Sequence, residues 1–161
     1  MKHPFSILAL GAGGILLASV TAWAAEDISR RLNPAEIAGI AQTAAGAGTS
    51  GVAGIQTTVL VGDPTKPGLY TIRLSAPPNT RIEAHSHKDS RSAIVMSGNW
   101  YFGYGPRFDA NALKLLPAGS FYTEPPGQAH FAQTRDEPVV IYITGFGPTD
   151  TVFAEAAPRT P

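Results

Sequence analysis

The chain has 161 residues, 43% of them apolar, which suits one domain with an ordinary buried core. Twelve Lys and Arg balance twelve Asp and Glu, so the composition offers none of the basic excess that nucleic-acid recognition draws on. Cysteine is absent, which excludes a disulfide scaffold, thiolate metal ligands and a cysteine nucleophile.

The first residues read as an export signal. Lys2 supplies a positive start, residues 7–20 are apolar, and Ala22-Trp23-Ala24 satisfies the small-x-small cleavage rule. This predicts a signal peptide over 1–24 and a periplasmic or secreted mature chain, with no stable membrane insertion once it is cleaved. The alternative is a retained anchor, because the uncharged stretch 4–25 is long enough to span a bilayer.

Asn33-Pro34-Ala35-Glu36 is a helix start, with Asn at the cap, Pro at the first helical position and Glu reaching back. A short helix to about Gln42 is expected. Residues 44–54 are small and lack an apolar period, so residues 25–54 are expected to form a short helix and a flexible lead-in. From there the pattern becomes short β-branched or aromatic runs closed by Pro, Gly and Asn. Strands are predicted at 56–61, 70–75, 81–87, 92–96, 100–104, 113–116, 121–123, 129–134 and 139–144. This is an all-β domain over 55–150, followed by a C-terminal tail at 151–161.

Beyond the leader the chain has three histidines, His85, His87 and His130. Residues two apart on a strand project to one face, so His85 and His87 can present both imidazoles to one point inside a barrel. A third imidazole from a neighbouring strand would complete a three-nitrogen site with positions open to water or substrate. The spacing also fits histidines on a solvated strand. Serines near the histidines lack a nucleophile elbow, and Gly103-Tyr104-Gly105 lacks the strand-to-helix setting of a dinucleotide loop.

The residues around the histidines resemble the two motifs of the cupin superfamily. The first motif, Gly, five residues, HxH, three or four residues, Glu, six residues, Gly, is matched by Asn79, His85-Ser86-His87, Arg91 and Gly98. The second, Gly, five residues, Pro-x-Gly, two residues, His, three residues, Asn, is matched by Gly119, Pro125-Pro126-Gly127, His130 and Thr134. The stretch from His85 to Gly147 is similar to small exported bacterial cupin-domain proteins of the single-barrel, cupin type-2-like kind. The resemblance implies a cupin-type jelly-roll β-barrel. It also implies a divalent metal ion (Zn, Fe, Mn, Ni or Cu) on His85, His87 and His130, and allows a homodimer.

Three positions depart from the motifs. Asn79 replaces a glycine, a mild change because Asn tolerates positive φ. Thr134 replaces the closing Asn. Arg91 replaces the glutamate that would be the fourth ligand, and arginine cannot ligate a cation. Two readings of Arg91 stay open. If residues 91, 93 and 95 share an inward face, its guanidinium points at the histidines and can clamp an anionic substrate; the thiol dioxygenases are similar in pairing three histidines with a nearby arginine. Otherwise it turns to solvent or pairs with Asp89 or Glu83. Glu83 shares the strand parity of His85 and His87, which makes it a candidate stand-in ligand, general base or partner of Arg91. Glu124 is read as a rim residue. Tyr70, Arg73, Trp100, Phe102, Tyr104, Phe121, Tyr122, Gln128, Phe131 and Tyr142 are candidates for barrel filling or the pocket wall.

The functional expectation is an enzyme of dioxygenase, isomerase or lyase type acting on a small oxygen-rich or anionic substrate. Its catalytic candidates are Arg91 and Glu83. The alternative is a non-catalytic barrel that binds a metal or small ligand.

Overall fold

The computed structural model describes residues 29–44 and 48–154. The expected signal peptide therefore lies outside the described residues, as do residues 45–47 of the lead-in and 155–161 of the tail. One short helix, α1 (Pro34–Ala38), precedes the β domain. The Asn33 side chain accepts from the Ala35 and Glu36 amides, and Glu36 accepts from the Asn33 amide, so the expected capping box is formed. The helix stops short of Gln42 because Gly39 takes the C-cap position.

Ten strands follow: β1 (Gln56–Val61), β2 (Gly68–Ala76), β3 (Arg81–Ser86), β4 (Arg91–Ser97), β5 (Asn99–Tyr104), β6 (Lys114–Pro117), β7 (Phe121–Glu124), β8 (His130–Gln133), β9 (Val139–Gly147) and β10 (Val152–Phe153). They form two five-stranded antiparallel sheets, ordered β1-β2-β9-β4-β7 and β10-β3-β8-β5-β6. All nine expected strands are present. The tenth falls in the expected tail: Val152 and Phe153 pair with Ser86 and His85 of β3. Two residues are too few to show an alternation, which is why sequence pattern passes over them.

The core follows from period-two alternation. Tyr70, Ile72 and Leu74 of β2 and Val139, Ile141 and Ile143 of β9 point inward and are buried, while Thr71, Arg73, Val140 and Tyr142 between them lie on the other face, partly exposed. The turn residues match their chemistry. Asn79 adopts φ 55°, the left-handed conformation for which a glycine was expected. Thr134 ties the same turn down: its hydroxyl donates to the Pro77 carbonyl (2.6 Å) and accepts from the Thr80 amide (2.9 Å).

The lead-in differs from expectation. Thr49 and Ser50 are buried rather than free, and the Thr151 hydroxyl donates to the Thr49 carbonyl at 2.6 Å. Small side chains let this backbone lie close against the barrel, an arrangement that composition alone reads as flexibility.

Gly145 lies opposite Arg91 in the β4–β9 pairing. A Cβ there would fall 2.5 Å from the Tyr70 hydroxyl and 2.7 Å from the Asp89 carboxylate, which are hydrogen-bonded to each other at 2.7 Å. Gly145→Ala is expected to lower stability by about 1–3 kcal/mol through overpacking, read as a lower urea midpoint at unchanged slope.

Candidate metal centre

His85 and His130 are directly opposed residues of β3 and β8, with ring centroids 4.5 Å apart. His87, just past the end of β3, brings a third ring to 5.0 and 5.2 Å from these two. The potential ligand atoms of all three lie within 4.8 Å of one another, and all three residues are buried. Ligands at about 2.0–2.2 Å from one ion sit about 3–4 Å apart, so a small inward adjustment makes this group a coordination sphere.

Backbone carbonyls settle which nitrogen faces inward. Nδ1 of His85 meets the Glu83 carbonyl (2.8 Å), Nδ1 of His130 meets the Gln128 carbonyl (3.1 Å), and Nδ1 of His87 meets the Asp150 carbonyl. A carbonyl only accepts, so each Nδ1 carries the proton and each Nε2 keeps its lone pair. Nε2 of His87 and of His130 are buried with no hydrogen-bond partner. A buried polar atom left unsatisfied is costly, and a metal ion is what such a lone pair is suited to. Burial, then repulsion from His130, lowers the His85 pKa to about 3; burial, then the charge of Arg91, lowers that of His87 to about 4; burial also lowers that of His130. All three are therefore neutral at neutral pH, the form that ligates.

Across the sandwich from the histidines lies a second opposed pair, Arg91 of β4 and Glu124 of β7. Arg91 shares the inward face of Ala93 and Val95 and is buried, so it does not turn to solvent. Its partner is neither Asp89 nor Glu83. Nε donates to Glu124 Oε2 at 2.6 Å, Nη2 donates to the same oxygen, and Nη1 donates to the Gly48 carbonyl at 2.6 Å. Glu124, expected at the rim, is instead buried beside the histidines, its Oε2 3.8 Å from Nε2 of both His87 and His130. The alternation of β7 could have revealed this, since Tyr122 and Glu124 fall on the same inward face. Burial alone would raise the Glu124 pKa, but Arg91 and, behind it, the neighbouring histidines outweigh it and hold the carboxyl at about 2.

Glu83 is corrected in the other direction. Its side chain is 58% exposed and pairs with Arg81 at 2.7 Å on the outer surface. The parity argument fails because β3 carries a bulge: Ile82 opposes Ala132 and His85 opposes His130, so two residues of β3 face one of β8. That extra residue puts Glu83 outside while Ala84 and His85 are both buried. The Glu83 backbone still serves the site through its carbonyl to His85.

His85 and His130 open on a cavity of about 30 Å³ that Arg91 and Glu124 also line, with a largely apolar wall that includes Leu74, Trp100, Phe102, Tyr122, Ile141 and Ile143. Of the aromatic candidates, Trp100, Phe102 and Tyr122 form this wall, and Phe102 stacks on His130 at 5.4 Å. Tyr70 is core and bonds Asp89, while Phe131 packs against Phe108. Phe121, Tyr104 and Gln128 are exposed, and Arg73 and Tyr142 are partly so. Residues near the C-terminal end, which sequence reasoning passed over, complete the site: Asp150 holds His87, and Phe153 lies 5.8 Å from His85.

Removing one member of a buried ion pair leaves the other charged and unpaired. Glu124→Leu alone is expected to cost about 3–5 kcal/mol in urea unfolding, whereas Arg91→Met combined with Glu124→Leu should recover most of that loss.

No family model matches the chain, and no curated protein does. Solved structures do match. The polyketide cyclase RemF from Streptomyces resistomycificus aligns with a TM-score of 0.62 at 13% identity, covering 81% of this chain and 89% of that one. A cupin-like protein from Thermotoga maritima aligns with a TM-score of 0.51 at 19% identity, covering 62% of this chain and 77% of that one. Identities this low speak for architecture rather than for reaction. With its two antiparallel sheets and the histidines gathered between them, the chain has the fold of the cupin superfamily, a jelly-roll β-barrel.

Proposed function

We propose that the protein is a metal-dependent enzyme of the cupin type, in which His85, His87 and His130 hold a divalent ion (zinc, iron, manganese, nickel or copper) that meets a small oxygen-rich substrate. The observation that carries this reading is the set of inward Nε2 atoms, two of them buried without a partner, with every Nδ1 committed to a carbonyl. Held there, a divalent ion would supply Lewis acidity to a substrate oxygen, or a redox centre if it is iron. Dioxygenation, isomerisation and lyase chemistry all draw on such a centre.

The chain's own residues define the surroundings. Leu74, Ile141 and Ile143 keep water from the reacting end. Burial raises the Tyr122 pKa well above the usual phenol value, so its hydroxyl stays protonated and able to donate. Glu124 stays ionised beside Arg91, which suits it to stabilise positive charge rather than to take up a proton at neutral pH. The anion clamp expected of Arg91 has no support, because its charge is paired with Glu124 and each of its nitrogens already donates, to Glu124 or to the Gly48 carbonyl. The substrate is accordingly one recognised through its oxygens rather than through a charge paired with Arg91.

The small size of the cavity and its apolar wall favour one other reading, a non-catalytic barrel that holds a metal or small ligand. The two readings separate on access. A cobalt-loaded enzyme should change its visible spectrum when azide enters an open coordination position, and a closed container should not.

Protein purified without an affinity tag is expected to carry close to one equivalent of divalent metal by elemental analysis. His87→Ala or His130→Ala, checked for folding by circular dichroism, should weaken binding by more than the about 10–100-fold that loss of an outer-sphere partner costs. Metal content near zero in the wild type, or unchanged in both variants, would sink the proposal.

We also propose that the chain is exported. The support is Lys2, the apolar run at 7–20 and Ala22-Trp23-Ala24. N-terminal sequencing of the mature protein from a bacterial periplasm should begin at Ala25, and an intact leader in the membrane fraction would contradict cleavage.

A further inference from the structure

We propose that Glu124 supplies a fourth ligand, a carboxylate oxygen, to the ion held by His85, His87 and His130. The inference rests on the three-histidine centre proposed above and adds a residue to it.

The case starts from atoms that face each other. Oε2 of Glu124 lies 3.8 Å from Nε2 of His87 and 3.8 Å from Nε2 of His130. With the protons on Nδ1, both Nε2 atoms are acceptors, and an ionised carboxylate is an acceptor only. Two unpartnered imidazole lone pairs and an ionised carboxylate therefore converge on one buried spot, with no donor among the three groups. A cation placed between them turns that repulsion into attraction. The spacing suits one, since two ligands of a single ion sit about 3–4 Å apart. Among the described residues lining the cavity, Glu124 is the sole anion.

Arg91 explains why this carboxylate is where it is. Its Nε and Nη2 both donate to Oε2, which leaves the lone pairs of the other carboxylate oxygen, Oε1, to a cation. It stands where the first motif has glutamate, directly opposite Glu124 on the neighbouring strand. The paired position places a carboxylate one strand spacing, about 4.7–4.9 Å, from position 91. Arg91 is a positioning residue in this arrangement: it holds Glu124 without touching the ion.

The test compares cobalt(II) binding by the full wild-type chain with binding by the double variant Arg91→Met/Glu124→Leu, which removes the carboxylate without stranding a buried charge. Visible absorption of cobalt reports the ligand set, and titration reports the affinity. The wild type should bind one equivalent. The folded double variant should keep the ion on three imidazoles, with an altered cobalt spectrum and affinity lower by about 10–100-fold or more. A cobalt spectrum unchanged in the double variant would overturn this inference and leave the three-histidine centre standing. A wild-type chain that takes up no cobalt would overturn the centre itself, and the role of Glu124 with it.

Discussion

The guanidinium of Arg91 and the carboxylate of Glu124 lie between the two sheets, each almost fully buried, and much of the surrounding structure answers to them. Burial opposes the charge on both groups, and their mutual attraction is the largest influence that keeps both ionised. The pair neutralises the wall of the cavity that faces the histidines. It also reaches outward, because Nη1 of the arginine donates to the Gly48 carbonyl and so anchors the segment before the first strand. Gly145, opposite Arg91, leaves room beside it for the Tyr70 hydroxyl to reach Asp89, whose other oxygen accepts from the Thr149 hydroxyl.

The same logic of opposed pairs builds the histidine side. His85 and His130 face each other across one sheet, Arg91 and Glu124 across the other, and the space between the sheets brings the two pairs together. Each imidazole is turned by a carbonyl two residues before it or, for His87, by the distant carbonyl of Asp150. Backbone therefore sets the tautomer, and the lone pairs point to one place because the chain path leaves them no other orientation. The loop that precedes His130 is tied in turn to the histidine pair of the first motif, where the Gly127 amide donates to the His87 carbonyl at 2.7 Å.

Much of this was legible in the chain itself. Alternation of apolar and polar residues located nine of the ten strands, and the Asn33-to-Glu36 pattern located the helix start. Asn79 was expected to tolerate a glycine's conformation and does so at φ 55°. The two histidine motifs gathered His85, His87 and His130 because motif spacing encodes strand and turn lengths. Those are local quantities that a sequence states directly.

Where Glu83 and Glu124 point was decided elsewhere. One bulged residue in β3 reversed the facing of Glu83, and a bulge depends on the partner strand rather than on the residues that carry it. Glu124 looked like a rim residue until the pairing of β4 with β7 placed it opposite Arg91, 33 positions away in the chain. The strand at Val152 and Phe153 exists only because β3 offers it an edge. Periodicity, capping and turn chemistry are written in neighbouring residues, so the sequence by itself determined the all-β architecture and the histidine trio. The charges that face the histidines meet through register between strands distant in sequence, and that is settled only when the sheets close.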